Sequence, residues 1–141
     1  MLEIRTLSEN EVEFDINCLP EFLPVRGNVM ATDEPDLDRE AEDEILAKLE
    51  RGDEWAWCCV RVTARWNGHM GMEHLGGCSY ENEADFRRCE YFEDMKAQAL
   101  EDLNRNLQDE ANSLLPLLAR GVNELCTKTS TTRSNRGRSI L

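Results

Sequence analysis

An α+β fold is the architecture predicted for this 141-residue sequence. Three observations carry that expectation. Residues Glu11 to Cys18 alternate strictly between polar and apolar, the period of a half-buried strand. The run Trp55 to Trp66 is rich in aromatic and β-branched residues and is followed at once by Asn67-Gly68, a dipeptide that favours a two-residue hairpin turn. From about Glu90 the apolar residues recur at helical spacing. The predicted arrangement is a small antiparallel sheet, a hairpin over 55–77 plus N-terminal strands, packed against a long C-terminal helix and one or two shorter helices.

Taken in order, the first strand places Val12, Phe14, Ile16 and Cys18 on one side and Glu11, Glu13, Asp15 and Asn17 on the other. Pro20 and Pro24 interrupt it, and Val25 to Ala31 reads as a second short strand. Leu37, Ala41, Ile45 and Leu49 then recur every four residues, with Gly52 placed to terminate a helix that begins near Pro35. Asp38 and Glu42 fall close to that stripe, so the helix is expected to dock shallowly.

In the hairpin, a two-residue turn sets Trp66 opposite His69, Val62 opposite Glu73, Val60 opposite Leu75 and Arg61 opposite His74. Val60, Val62, Ala64 and Trp66 form the expected core side, with Arg61, Thr63 and Arg65 on the wetter side. Gly76-Gly77 reads as a tight turn, and Ser79 or Asn82 as the cap of a short helix through Arg88. Phe92, Met95, Ala99, Leu103, Leu107, Ala111 and Leu114 form the stripe of the long helix, which Pro116 should end or kink.

The length suits one domain, expected over 1–126, with a Ser/Thr/Arg-rich tail over 127–141 that lacks a packing pattern and is expected to be disordered. Net charge is −13, and it is segregated: all 29 acidic residues lie at or before Glu124. Residues 1–126 hold 12 basic side chains against those 29 acidic ones, a net of −17. Such a body repels nucleic-acid backbones and attracts basic surfaces. The first fifteen residues contain neither a basic nor an apolar leader segment, and no apolar run reaches membrane length. An intracellular protein is therefore expected, with its six cysteines as reduced thiols.

Several residue groups suggest chemistry and also have plainer roles. His69, His74 and Cys78 share one stretch, but the hairpin register puts the two histidines on opposite faces, and no C-x2-C doublet is present. No metal site or cofactor is expected. Cys78 follows two glycines near a helix start with His74 nearby, yet no orienting group or oxyanion pocket can be named. No catalytic residue is assigned, and a non-enzymatic role is expected. Asp33 and Glu44 have EF-hand end spacing, but Pro35, Leu37 and Asp38 occupy positions that calcium ligands and glycine would need. The acidic surface is what remains. Eight acids in the twelve residues from Asp33 to Glu44 make its densest stretch, and rows of carboxylates can imitate a phosphate track.

Residues 52–108 carry GDEWAW, LGGCSYENEADFR and a YFEDM…AL.DLN helix. This pattern resembles a family of small bacteriophage and prophage proteins. The likeness implies a phage origin and a place in the cytoplasm of a bacterial host, and no catalytic residues come with it. By analogy, small acidic phage proteins often inhibit host machinery, anti-restriction and anti-CRISPR proteins among them. The expectation is an acidic inhibitor that occupies a basic surface of a host nucleic-acid-handling or defence complex, with nucleic-acid mimicry as one way of doing so. Its contacts would be Asp33, Glu34, Asp36, Asp38, Glu40, Asp43 and Glu44. No direct nucleic-acid or membrane binding is expected of the acidic body, and a homodimer is open. Two other readings stand beside this one: a small Cys/His metalloprotein or thiol enzyme centred on Cys78 and His74, and an oligomeric assembly protein using the apolar side of the long helix.

Overall fold

The computed structural model describes residues 3–29 and 32–140, with the side chains of 122 and 126–140 outside the described set. The chain divides into one unit of Thr6–Asn104 and another of Met1–Arg5 with Arg105–Leu141.

In the first unit, strands β1 (Glu13–Pro20), β2 (Cys58–Trp66) and β3 (His69–Cys78) form an antiparallel sheet in the order β1-β2-β3. The fold is α+β. Asn67 and Gly68 both take positive φ, 46° and 78°, the signature of a type I′ turn. That turn fixes the register, and Trp66–His69, Val62–Glu73, Arg61–His74 and Val60–Leu75 pair as the two-residue loop requires. β1 pairs with β2 on the other side, with Ile16 opposite Val62 and Cys18 opposite Val60. One face of the central strand, Val60, Val62 and Ala64, is fully buried.

Helix α1 (Pro35–Glu50) begins with proline in its first turn and acids that suit the helix dipole. Gly52, at φ +86°, follows its end, and its amide donates to the Leu49 carbonyl. Only Ile45 of the helix is buried, against Val25, Ala56 and Trp57. The shallow docking read from the sequence is the observed one, and Leu37 stays exposed. Asn82 caps α2 (Glu83–Arg87) by accepting from the Asp85 amide. That short helix buries Phe86 among Trp55, Tyr80 and Phe92.

Helix α3 (Glu90–Ile140) spans both units. Within the first, Phe92, Met95, Ala99 and Leu103 are buried, and the helix backbone presses directly on the sheet at Gly71. A Cβ there would lie 2.7 Å from Leu103 Cα and closer still to Leu103 N and Ala99 O. Ala64 and Gly71, paired across β2 and β3, keep the sheet low there, and Ala99 is the small residue on the helix side. On the outer edge of β3, the Met72 amide donates to Asp102 Oδ2 at 2.9 Å, so the helix also satisfies a strand group that would otherwise face outward. Lys96 ties the N-terminal turn to the helix, with Nζ 2.8 Å from Glu9 and 4.9 Å from the Phe92 ring centroid.

Five expectations are revised. Val25 to Val29 form a turn instead of a strand, with Gly27 at φ +81° and the Asn28 amide donating to the Val25 carbonyl; residues 30 and 31 lie outside the described set. Trp55 to Trp57 stand before β2, because Asp53 caps the short turn Glu54–Ala56 by accepting from the Trp55 amide. Gly76-Gly77 is a β-bulge, with Gly77 at φ +62° and one more residue on β3 than on β2 between the Leu75–Val60 and Cys78–Cys58 pairs. The bulge turns Cys78, instead of Gly77, to face Cys58. Thr63 is only 1% exposed, and its hydroxyl has no hydrogen-bond partner among the described residues. It sits between Asp15 and Met72 across the strands, with Arg61 and Arg65 on either side along its own. Finally, Pro116 lies inside α3, which does not stop at Leu114. The disorder expected of 127–141 concerns residues whose side chains lie outside the described set.

Candidate functional site

The acidic stretch resolves into carboxylates paired with neighbours in the fold and carboxylates without such a pair among the described residues. Asp38 is internal in role: its Oδ1 accepts from the Thr32 amide at 2.7 Å and from the Thr32 hydroxyl at 3.0 Å, which fixes the chain entering α1. Asp43 pairs with Arg26, and Glu44 with Lys48 one helical turn on. Glu42, read as a flaw in the apolar stripe, is half-buried because it serves the same loop. It accepts from the Gly27 amide at 3.2 Å and from Arg26 at 3.4 Å. The two carboxylates raise the Arg26 pKa further, Asp43 foremost through its hydrogen bond.

Asp33, Glu34, Asp36 and Glu40 remain. All four are exposed, and none makes a side-chain hydrogen bond or ion pair among the described residues. Asp36 and Glu40 are one turn apart, about 6 Å along the helix axis, so they face the same way. Of the seven carboxylates predicted as contacts, these four are open to a partner, while Asp38, Asp43 and Glu44 are already engaged at home.

One exposed residue, on the loop that Arg26 ties to the middle of α1, was missed. Phe22 is 94% exposed, on a loop that is otherwise held firmly. Trp57 Nε1 donates to the Leu23 carbonyl at 2.7 Å. Glu21 accepts from the amides of Leu23 and Gly77, both at 2.9 Å. Those two amides hold the Glu21 carboxylate below its ordinary pKa. Arg26, four residues past Phe22, carries the loop onto α1. An aromatic between Pro20 and Pro24, with no periodic partner, was the sequence signal.

The Cys/His constellation does not assemble. Cys78 is buried and its thiol donates to the Leu75 carbonyl at 3.0 Å; burial pushes its pKa up to about 11, so it is held as the neutral thiol. Cys58 is pushed up as well, by burial first and then by its hydrogen bond with Cys18. His74 is exposed on the face opposite the core, and His69 stacks on Trp66 with centroids 6.3 Å apart. Among the described residues no group of three or more His, Cys, Asp or Glu side chains is placed to hold a metal ion.

One concavity of the same unit, about 310 Å³, is lined by Leu75, Gly76, Gly77, Cys78, Ser79 and Tyr80, and two more lie apart from it. A narrow groove of about 280 Å³ runs between the end of β1 and α1, lined by Cys18, Leu19, Pro20, Leu49, Glu54 and Trp57. A wider depression of about 510 Å³ lies at the hairpin turn, beside Glu13, Arg65, Trp66 and His69. Neither gathers a nucleophile, a base and an orienting group. No described helix is long and apolar enough to cross a membrane.

No family model matches this chain, and no curated protein or solved structure matches it.

Proposed function

We propose that this protein is a non-enzymatic, phage-derived inhibitor that binds a basic surface of a host nucleic-acid-handling or defence complex. The N-terminal half of α1 is its contact. The observation that supports this reading most is the division of labour among the acids of residues 33–44. Asp38, Glu42, Asp43 and Glu44 have partners within the fold, whereas Asp33, Glu34, Asp36 and Glu40 are exposed and gain nothing locally beyond a favourable helix dipole. Four like charges held within two turns repel one another and offer a cation-rich surface a concentrated target. Phe22, exposed on the loop before α1, is an aromatic of the kind that anchors interfaces.

Capture of partners on the immobilised full chain from a bacterial lysate, with identification by mass spectrometry, tests the reading directly. The bound proteins should be nucleic-acid-binding ones, released between roughly 50 and 300 mM salt as screening rises. The quadruple variant Asp33→Lys, Glu34→Lys, Asp36→Lys, Glu40→Lys should lose them, and Phe22→Ala should weaken binding by about 2 kcal/mol. Unchanged capture by the quadruple variant would refute the acidic contact.

A further inference from the structure

The two edges of the sheet differ, and the strand register fixes which backbone groups each one presents. The Asn67-Gly68 turn makes Trp66–His69 a hydrogen-bonded pair. Ala64–Gly71, Val62–Glu73 and Val60–Leu75 are then hydrogen-bonded as well, since such pairs alternate along an antiparallel ladder. On β3 the amides of Met72 and His74 therefore point away from the sheet. Both are satisfied by carboxylates, Met72 by Asp102 and His74 by Glu73, each at 2.9 Å. The intervening residues of β2 turn to β1, where Glu13, Asp15, Asn17 and Leu19 bond inward. Phe14, Ile16 and Cys18 direct their amides and carbonyls outward. Among the described residues none of those outward groups has a hydrogen-bond partner. Pairing with β2 runs over all eight residues of β1 without a bulge, so nothing twists that edge away from a neighbour.

We infer that the outer edge of β1 is a docking site for an extended, basic peptide segment of a partner protein, added as a fourth strand. An extended chain supplies donors and acceptors at the spacing of residues 14, 16 and 18, about 7 Å from one to the next. The edge also runs into a side-chain pocket. Cys18, the last residue with an outward amide, lines the groove of about 280 Å³ together with Leu19, Pro20, Leu49 and Trp57. That space suits one or two apolar side chains and falls below the usual size of a small-molecule site. An antiparallel segment continues the pattern of the sheet and brings its first residues to this groove. Charge selects the partner. Glu13 opens β1 and Glu54 lines the groove, both exposed and without an ion pair among the described residues. A second copy would bring another body of net charge −17 to the same edge, whereas a segment with a cation at each end meets a carboxylate at each end. This edge is separate from the exposed acids of α1.

The test is a labelled peptide, Lys-Leu-Thr-Val-Thr-Val-Thr-Lys with blocked ends, titrated to millimolar concentration against the full chain. Anisotropy reads binding, and amide hydrogen exchange by NMR reads its place. The amides of Phe14, Ile16 and Cys18 should slow at least about ten-fold on binding, while those of Asp15 and Asn17, already in the ladder, should not change. N-methylation of alternate peptide residues in one phase should weaken binding about ten-fold or more, and in the other phase should leave it intact. A peptide with glutamate in place of both lysines should bind about ten-fold more weakly, and the chain variant Glu13→Lys with Glu54→Lys should reverse that preference. Absence of binding, equal effects of the two methylation phases, or slowed exchange elsewhere than at these three amides would each overturn the inference. So would protection of the same amides that grows with protein concentration in the absence of peptide, which would place a second copy on the edge. None of these outcomes involves Asp33, Glu34, Asp36 or Glu40, whose test stands separately.

Discussion

Replacing Gly71 by alanine should cost this protein more than any other single methyl added to it. The added Cβ would fall 2.7 Å from Leu103 Cα and nearer to Leu103 N and Ala99 O. These atoms belong to a helix backbone, so no rotamer change can relieve the clash. The helix must withdraw from the sheet by roughly 1 Å, and a gap of that size forfeits a quarter to a half of each contact it opens. Phe92, Met95, Ala99 and Leu103 are the buried residues of this part of α3. Full burial of a large apolar side chain is worth about 1.5–3 kcal/mol. Loosening three of them by a third gives a loss of about 1.5–3 kcal/mol, in line with typical overpacking costs. That is a large share of the roughly 5–15 kcal/mol by which domains are stable. Urea unfolding followed by tryptophan fluorescence should show the midpoint falling by about 0.75–1.5 M at an m-value near 2 kcal/mol/M. Ala99→Gly and Leu103→Ala should fail to rescue Gly71→Ala, because they remove side chains and the obstruction is backbone. A loss below about 0.5 kcal/mol, or rescue by either truncation, would show that the helix does not rest on Gly71.

Thr63→Val should stabilise the protein by about 1 kcal/mol in the same assay, since it removes a buried hydroxyl without a partner while keeping the shape; a loss of stability would mean the hydroxyl is bonded in solution. Glu21 has a depressed pKa in the fold, so its contribution is present above the ordinary carboxylate range and disappears as pH falls through the folded value. Glu21→Gln should therefore be less stable than wild type at neutral pH, and the difference should shrink toward pH 3 as both acceptors become neutral. A gap that is constant with pH would disprove the carboxylate's role. In alkylation at pH 8 with iodoacetamide, Cys59 and Cys89 should react before Cys58 and Cys78, which are buried and held as thiols; peptide mapping reads the order, and early labelling of Cys78 would contradict its burial.

Local rules determined much of this protein from sequence alone. The alternation of residues 11–18, the Asn67-Gly68 turn and the four-residue spacing of α1 each act over a few residues. They set strand, register and helix without help from the rest of the chain. The free acids of residues 33–44 were equally visible as charges. Which of them are free was not, since Arg26 and Thr32 reach Asp43 and Asp38 only once the loop before α1 is folded onto it. The bulge at Gly76-Gly77 depends on Glu21, 56 residues away, accepting the amide of Gly77. Nor does a single strand show that Gly71 must be bare; that follows from α3 crossing β3 at that point. Thr63 illustrates the same divide. Its polar character and its place opposite the core face were legible, but its burial arises from neighbours on three strands, and burial is a property only tertiary structure can confer.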